Sequence, residues 1–150
     1  MRAFKYKIGW LLLIMLFFAG CASIEKAEAL NRQGEKQEAL EMAISLLDDE
    51  SSQVRLRAVK LVGKIGGPEA GPALHQRLVE KDTRVRREVV RNLGRLQFEP
   101  AIEDLADLVP DSSTDMLRAL ADAFRDYGKS GIDLIVSRYD SPSQSSNRGA

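Results

Sequence analysis

Few side chains in this sequence could carry covalent or metal chemistry, and each of them stands alone. Cys21 is the single cysteine among 150 residues. A thiolate can attack or ligate, but one cysteine closes no internal disulfide and builds no zinc site. His75 is the single histidine. With no cysteine or second histidine near it, a surface position on a helix is expected rather than a triad or a metal site. Asp48-Asp49-Glu50 is an acid run without the Gly and final Glu of a calcium loop. It suits the start of a helix, where free N–H groups favour negative charge. Gly63, Gly66 and Gly67 fit a helix end and a turn better than a phosphate loop. The expectation is a chain with no metal, no cofactor and no small-molecule substrate, and not an enzyme.

The role of Cys21 comes from its neighbours. Met1 to Lys7 holds three cations and no acid, Ile8 to Phe18 is almost continuously apolar, and Ala19 and Gly20 are small. A basic start, an apolar run and a small-residue cut site describe a secretory signal peptide. The run is short of the roughly 20 residues that span a bilayer. Phe18-Ala19-Gly20-Cys21 resembles the lipobox of bacterial lipoproteins, with Phe18 where Leu is usual. The resemblance implies a signal peptide over 1–20, cleavage before Cys21 and a diacylglycerol on its sulfur. Ala22, rather than Asp, follows the cysteine. By the sorting rule of many Gram-negative bacteria, that implies an outer-membrane anchor facing the periplasm. Two or more acyl chains, at ~0.8 kcal/mol per buried methylene, would hold such a chain stably on the membrane.

Charge bounds the partners. Basic and acidic residues balance at 22 each; removal of Arg2, Lys5 and Lys7 with the leader leaves 19 against 22, a net of −3. A nucleic-acid-binding domain needs a concentrated basic face, so none is expected. Aromatics are only 6%, and Ala, Leu, Val, Glu and Arg dominate, which favours packed helices over sheets.

What would position the polar residues is a repeat. A shift of 31 residues lays Val54-Arg55 on Val85-Arg86, Leu74 on Leu105, and Val62-Gly63-Lys64-Ile65 on Leu93-Gly94-Arg95-Leu96. A further step takes Leu93 to Phe124 and Ala101 to Ile132. Each copy reads as two helices. In the middle one, Asp82 caps a helix whose stripe is Val85, Val89, Leu93 and Leu96; Phe98-Glu99-Pro100 breaks it; Ala101, Leu105 and Leu108-Val109 form the second stripe. The first copy has Ser51 as cap, Val54, Ala58, Leu61-Val62 and Ile65, a Gly66-Gly67-Pro68 turn, then Ala70, Ala73-Leu74 and Leu78. The third has Ser113 as cap, Met116, Leu120, Phe124 and Tyr127, then Ile132, Ile135-Val136 and Tyr139. The spacing predicts an all-α fold.

Asp82-Thr83-Arg84-Val85-Arg86, Leu93-Gly94-Arg95-Leu96 and Pro100-Ala101-Ile102-Glu103-Asp104-Leu105 resemble the HEAT-like repeats first described in phycobilisome lyases. Ser51 to Arg55, Leu61 to Gly66 and Pro68 to Leu74 match as well. The resemblance implies a short α-solenoid, an α-α superhelix, with repeats over 48–140. It also implies that Arg55 and Arg86 are structural, pairing with acids such as Asp49 or Asp82. In the last copy Leu117 stands at the repeat arginine and Arg125 at the glycine, as suits a terminal repeat facing water on one side. Residues 21–47 read as a HEAT- or tetratricopeptide-like hairpin capping the stack. Residues 141–150 are Ser-, Asn- and Gly-rich and read as a mobile tail. Arg84, Arg86, Arg87 and Arg91, interleaved with Glu80, Asp82 and Glu88, read as a solvated helix face.

Stacked hairpins leave their second helices side by side on one surface. His75, Gln76, Glu103, Asp107, Asp133 and Arg138 are the outward residues expected there, as the groove for a protein partner. The expected role is a membrane-anchored adaptor or assembly factor of the bacterial envelope. The alternatives are a structural envelope lipoprotein without a specific client, and a lyase-related enzyme.

Overall fold

The computed structural model of the chain describes residues 23–110 and 112–139. The expected leader, Cys21 and the tail over 141–150 lie outside the described residues. All regular structure within them is helical. α1 covers 23–33, α2 Lys36–Ser45, α3 Ser52–Ile65, α4 Ala70–His75, α5 Thr83–Arg95, α6 Ile102–Asp107, α7 Thr114–Asp126 and α8 Lys129–Tyr139. Short 3₁₀ turns occupy Leu46–Asp48, Gln76–Val79 and Glu99–Ala101. The chain forms two compact units, one up to Ala73 and one from Leu74.

In the first unit α3 buries Val54, Ala58, Val59, Leu61 and Val62. It packs against α2 and the 3₁₀ turn after it, where Ala39, Leu40, Ala43, Leu46 and Leu47 are buried. Ile24 and Ala27 of α1 are fully buried as well. In the second unit α5 packs along α7. Val85, Val89, Val90 and Leu93 meet a stripe of Met116, Ala119, Leu120, Ala123 and Phe124. These spacings of three and four put each set on one helical face. Gly94 sits at the closest approach: a Cβ there would lie 2.4 Å from Ala123 Cα and 2.7 Å from Ala123 Cβ. The glycine in the repeat pattern therefore lets one helix touch the next.

The turn after the first helix of each repeat has a positive φ at the equivalent position. Gly66, Gln97 and Gly128 all have left-handed φ, at 70°, 50° and 67°. Gln97 is the exception in residue type. Its backbone N–H donates to Gly94 O at 2.8 Å and its Nε2 to Asp126 O at 2.6 Å, which holds it in a conformation that costs a non-glycine residue. This corrects the reading of Phe98-Glu99-Pro100 as the breaker. α5 is already over at Arg95, and Pro100 lies in the first turn of the 3₁₀ segment Glu99–Ala101, where a missing N–H costs nothing.

Helix starts also differ in part from expectation. The Asp82 carboxylate accepts from the N–H of Arg84 and Val85, and Ser113 Oγ from Met116 N–H. Ser51 makes no side-chain cap bond. Its N–H instead donates to the Asp49 carboxylate at 2.8 Å, just as Asp82 N–H donates to the Glu80 carboxylate at 2.8 Å. An acid two residues before the cap is thus the shared device of these two turns. A second difference lies in α8. Ile132 and Val136 are 54% and 52% exposed, whereas their repeat counterparts Ala101 and Leu105 are fully buried. No described element packs over that side of α8 as one does over α6, so half of the expected stripe faces water.

Candidate functional site

The expected partner surface falls within the second unit. Arg138 on α8 reaches back to α6, where its guanidinium donates to Glu103 Oε2 at 2.7 Å and to the Asp107 carboxylate. Tyr139 Oη donates to Ala106 O at 2.9 Å beside it. Three of the six expected residues are therefore brought together, but as a clamp that docks α8 on α6. The carboxylates remain wet, with Glu103 and Asp107 side chains 61% and 70% exposed. Asp133 pairs instead with Lys129 on its own helix, at 2.5 Å. The Lys129 ammonium is held above its usual range by this hydrogen bond, and then by the carboxylate charge. Gln76 is exposed at the start of its 3₁₀ turn. His75 is not a bare surface histidine: Nε2 lies 2.6 Å from Asp104 Oδ2, and the ring meets Phe98 edge-on at 5.8 Å. Its contacts tie His75 to the Phe98–Asp104 stretch.

Other polar contacts in this unit are also inward or paired. Tyr127 Oη donates to Phe98 O at 2.8 Å. Burial, and next the Glu99 charge, push the phenol pKa well above its usual value, so it stays a neutral donor. Arg84 meets Asp82 at 3.0 Å, Arg87 meets Asp115 at 3.0 Å and Arg91 meets Glu88 at 3.8 Å. The arginine-rich stretch is therefore largely answered by carboxylates. Arg86 Nε is buried without a hydrogen-bond partner among the described residues. In the first unit Arg55 Nη1 donates to the main-chain carbonyls of Asp49 at 2.8 Å and Glu50 at 3.0 Å. It clamps the turn through backbone oxygens rather than through the expected carboxylate pair alone.

Sequence reasoning missed a groove in the first unit, of about 290 Å³. Its lining includes Glu28, Arg32, Arg57, Lys60, Leu61 and Lys64. Arg57 holds Glu28 in a two-pronged pair, Nε to Oε1 at 3.0 Å and Nη2 to Oε2 at 2.8 Å, and lies 3.9 Å from Glu25. This joins α1 to α3. The Arg57 hydrogen bond, against some desolvation, holds the Glu28 carboxyl below its usual range, and the charges of Arg32 and Lys64 add to the lowering. Arg32, Lys60 and Lys64 are exposed and form no ion pair or hydrogen bond among the described residues. The signal was present in the sequence, because Arg57, Lys60 and Lys64 follow at three and four, one helical face.

Among the described residues no three His, Cys, Asp or Glu side chains are placed to hold a metal ion, and no helix is long and apolar enough to cross a membrane. A comparison with curated proteins found no match. The family model for HEAT repeats matches residues 25–83 and 40–125. That span takes in both units and runs from α1 into α7, and the helical pairs found there have the hairpin form of such repeats. Folds of this kind commonly serve as protein-interaction scaffolds and typically not as enzymes. The chain belongs to the HEAT-repeat family.

Proposed function

We propose that the chain is a bacterial envelope lipoprotein, tethered through Cys21, that binds a protein partner on the outer face of α6 and works as an adaptor or assembly factor. The observation that carries the binding surface is the docked α6–α8 pair. Arg138 and Tyr139 fix the two helices, while Glu103 and Asp107 keep most of their side-chain surface in water. A face held rigid before binding loses little conformational freedom on association. The apolar stripes beneath it are spent on the fold. The outer face therefore offers a partner carboxylates, best met by lysine or arginine.

The lipobox resemblance supports the tether. An anchored protein searches a plane rather than a volume, which raises its effective concentration towards partners on the same membrane. The outer-membrane, periplasmic position follows from Ala22 in a Gram-negative host.

Affinity capture of the intact protein from solubilised native membranes tests this reading. Wild type should bring down a specific protein, and the Glu103→Lys/Asp107→Lys double variant should lose it while keeping its helical circular dichroism. Recovery of no specific protein at any salt concentration would overturn the adaptor reading. Loss only with a core-breaking change such as Leu93→Asp, and not with the double variant, would move the surface elsewhere.

A further inference from the structure

We propose that the groove between α1 and α3 is a seat for the phosphate headgroup of an anionic membrane phospholipid, with Arg32, Lys60 and Lys64 as its ligands. The inference rests on the tether reading for its location and on the groove for its chemistry.

Three observations converge. Arg32, Lys60 and Lys64 line one concavity and form no ion pair or hydrogen bond with any described carboxylate. The carboxylate within that groove, Glu28, is already engaged by Arg57 at 2.8 and 3.0 Å. It therefore offsets the other three only in part, and the charges of Arg32 and Lys64 both favour its ionised form. Second, the volume of about 290 Å³ accommodates a phosphodiester and its glycerol oxygens, but is too small for a helix roughly 10 Å across.

Third, the groove is close to the anchor along the chain. Residues 23–33 are helical, so Ser23 to Glu28 rises ~7.5 Å at 1.5 Å per residue. An acylated Cys21, seven residues before Glu28 in the sequence, therefore keeps the near edge of the groove close to the headgroup layer, where anionic lipid attracts basic side chains over a screening length of about 8 Å. An acidic protein segment would satisfy the charges, but nothing in a protein partner accounts for their position beside the anchor. A lipid headgroup accounts for both.

The test uses the mature protein purified from its membranes and reconstituted into vesicles of phosphatidylcholine alone or of phosphatidylcholine with phosphatidylglycerol. A water-soluble acylating reagent reports each lysine by mass spectrometry, with the exposed Lys36 and Lys81 as internal references. Lys60 and Lys64 should react about fivefold more slowly in the anionic vesicles, and high salt should erase the difference. Arg32→Glu, an exposed position, should abolish the protection, whereas Lys81→Glu should leave it.

Equal reactivity in the two vesicle types overturns the proposal. So does protection that survives Arg32→Glu, which would reflect the membrane field acting on the whole surface. Equal protection by inorganic phosphate without vesicles would make the source a free anion. Protection found only in native membranes, and not in pure anionic vesicles, would make it an acidic protein. Intact mass of the same sample reads the tether separately. A chain without acyl groups sinks the lipoprotein reading, and anionic vesicles titrated into that chain then test the groove alone: protection should appear at higher lipid concentration, and its absence there overturns the groove as well.

Discussion

In the second unit, Arg84, Arg87, Arg118, Arg125, Lys129 and Arg138 each face a carboxylate. In the first unit, Arg32, Lys60 and Lys64 crowd one groove with Glu28, whose carboxylate is paired with Arg57 and not with them. Both units are built from the same repeat, with a positive φ at the equivalent turn positions Gly66 and Gln97 and the same acid-led helix start at Asp49 and Glu80. The difference is thus not one of fold. Repeat packing consumes the stripe positions and leaves the outer positions to whatever the surface must meet. Where charges are paired internally they rigidify a face, as Arg138 does for α6. Where they are left unpaired they await something outside the chain.

The largest expected effect tests whether packing, not charge, carries stability. Leu105 is fully buried and its repeat counterpart Val136 is 52% exposed. Leu105→Ala should cost about 3 kcal/mol in urea unfolding, and Val136→Ala less than ~0.5 kcal/mol. Equal costs would mean that the outer side of α8 is covered after all. Gly94→Ala comes next. Its new methyl would meet Ala123 backbone at 2.4 Å, so α5 and α7 must separate, at about 2 kcal/mol, and the thermal midpoint should fall accordingly.

Charge reversal then addresses the comparison itself. Arg87 sits 3.0 Å from Asp115, so Arg87→Glu should destabilise by ~0.5–1 kcal/mol. Lys64→Glu should do the opposite, gaining ~0.3 kcal/mol by relieving repulsion among unpaired cations. A loss from Lys64→Glu would show that the groove is internally balanced. Glu28 gives the same comparison a pH axis. Its folded pKa is depressed, first by the Arg57 hydrogen bond. The pair therefore contributes stability above the ordinary carboxylate range, and that contribution is lost as pH falls below about 4.5 through the lowered folded value. The pair is about one-third exposed on each side, so solvent screening holds the effect under ~1 kcal/mol. Arg57→Met should flatten this acid limb.

The smallest effect sharpens the turn argument. Gln97→Gly should release left-handed strain but forfeit the 2.6 Å bond to Asp126 O, for a net gain of at most ~0.5 kcal/mol. Gln97→Ala keeps the strain and loses the bond, and should be the less stable of the two.

Much of this was legible in the residues. The 31-residue period and most of the stripes from Val54 to Phe124 reappear as buried helix faces, with Ile65, Leu96, Leu108 and Val109 at the helix ends only half-buried, because apolar spacing directly encodes which side must leave water. The starts were legible at Asp82 and Ser113, whose side chains accept from helix N–H groups; Ser51 makes no such bond and its own N–H donates to the Asp49 carboxylate, and an acid run does not announce which member turns back. Gln97 gave no signal, since a left-handed non-glycine is held by a long-range contact to Asp126. The α6 residues Glu103 and Asp107 were named for a partner, yet their Arg138 clamp depends on how α8 docks, across more than thirty residues of sequence. The groove escaped notice because its cations come from two helices, and only Arg57, Lys60 and Lys64 share one.

A photoreactive side chain placed at position 103 or at position 60 in the intact protein, and activated in native membranes, tests the account most directly. From position 103 the account predicts a discrete crosslinked protein, lost with Asp107→Lys; from position 60 it predicts a phospholipid adduct. Crosslinks to the same species from both positions, or no protein from position 103, would contradict it.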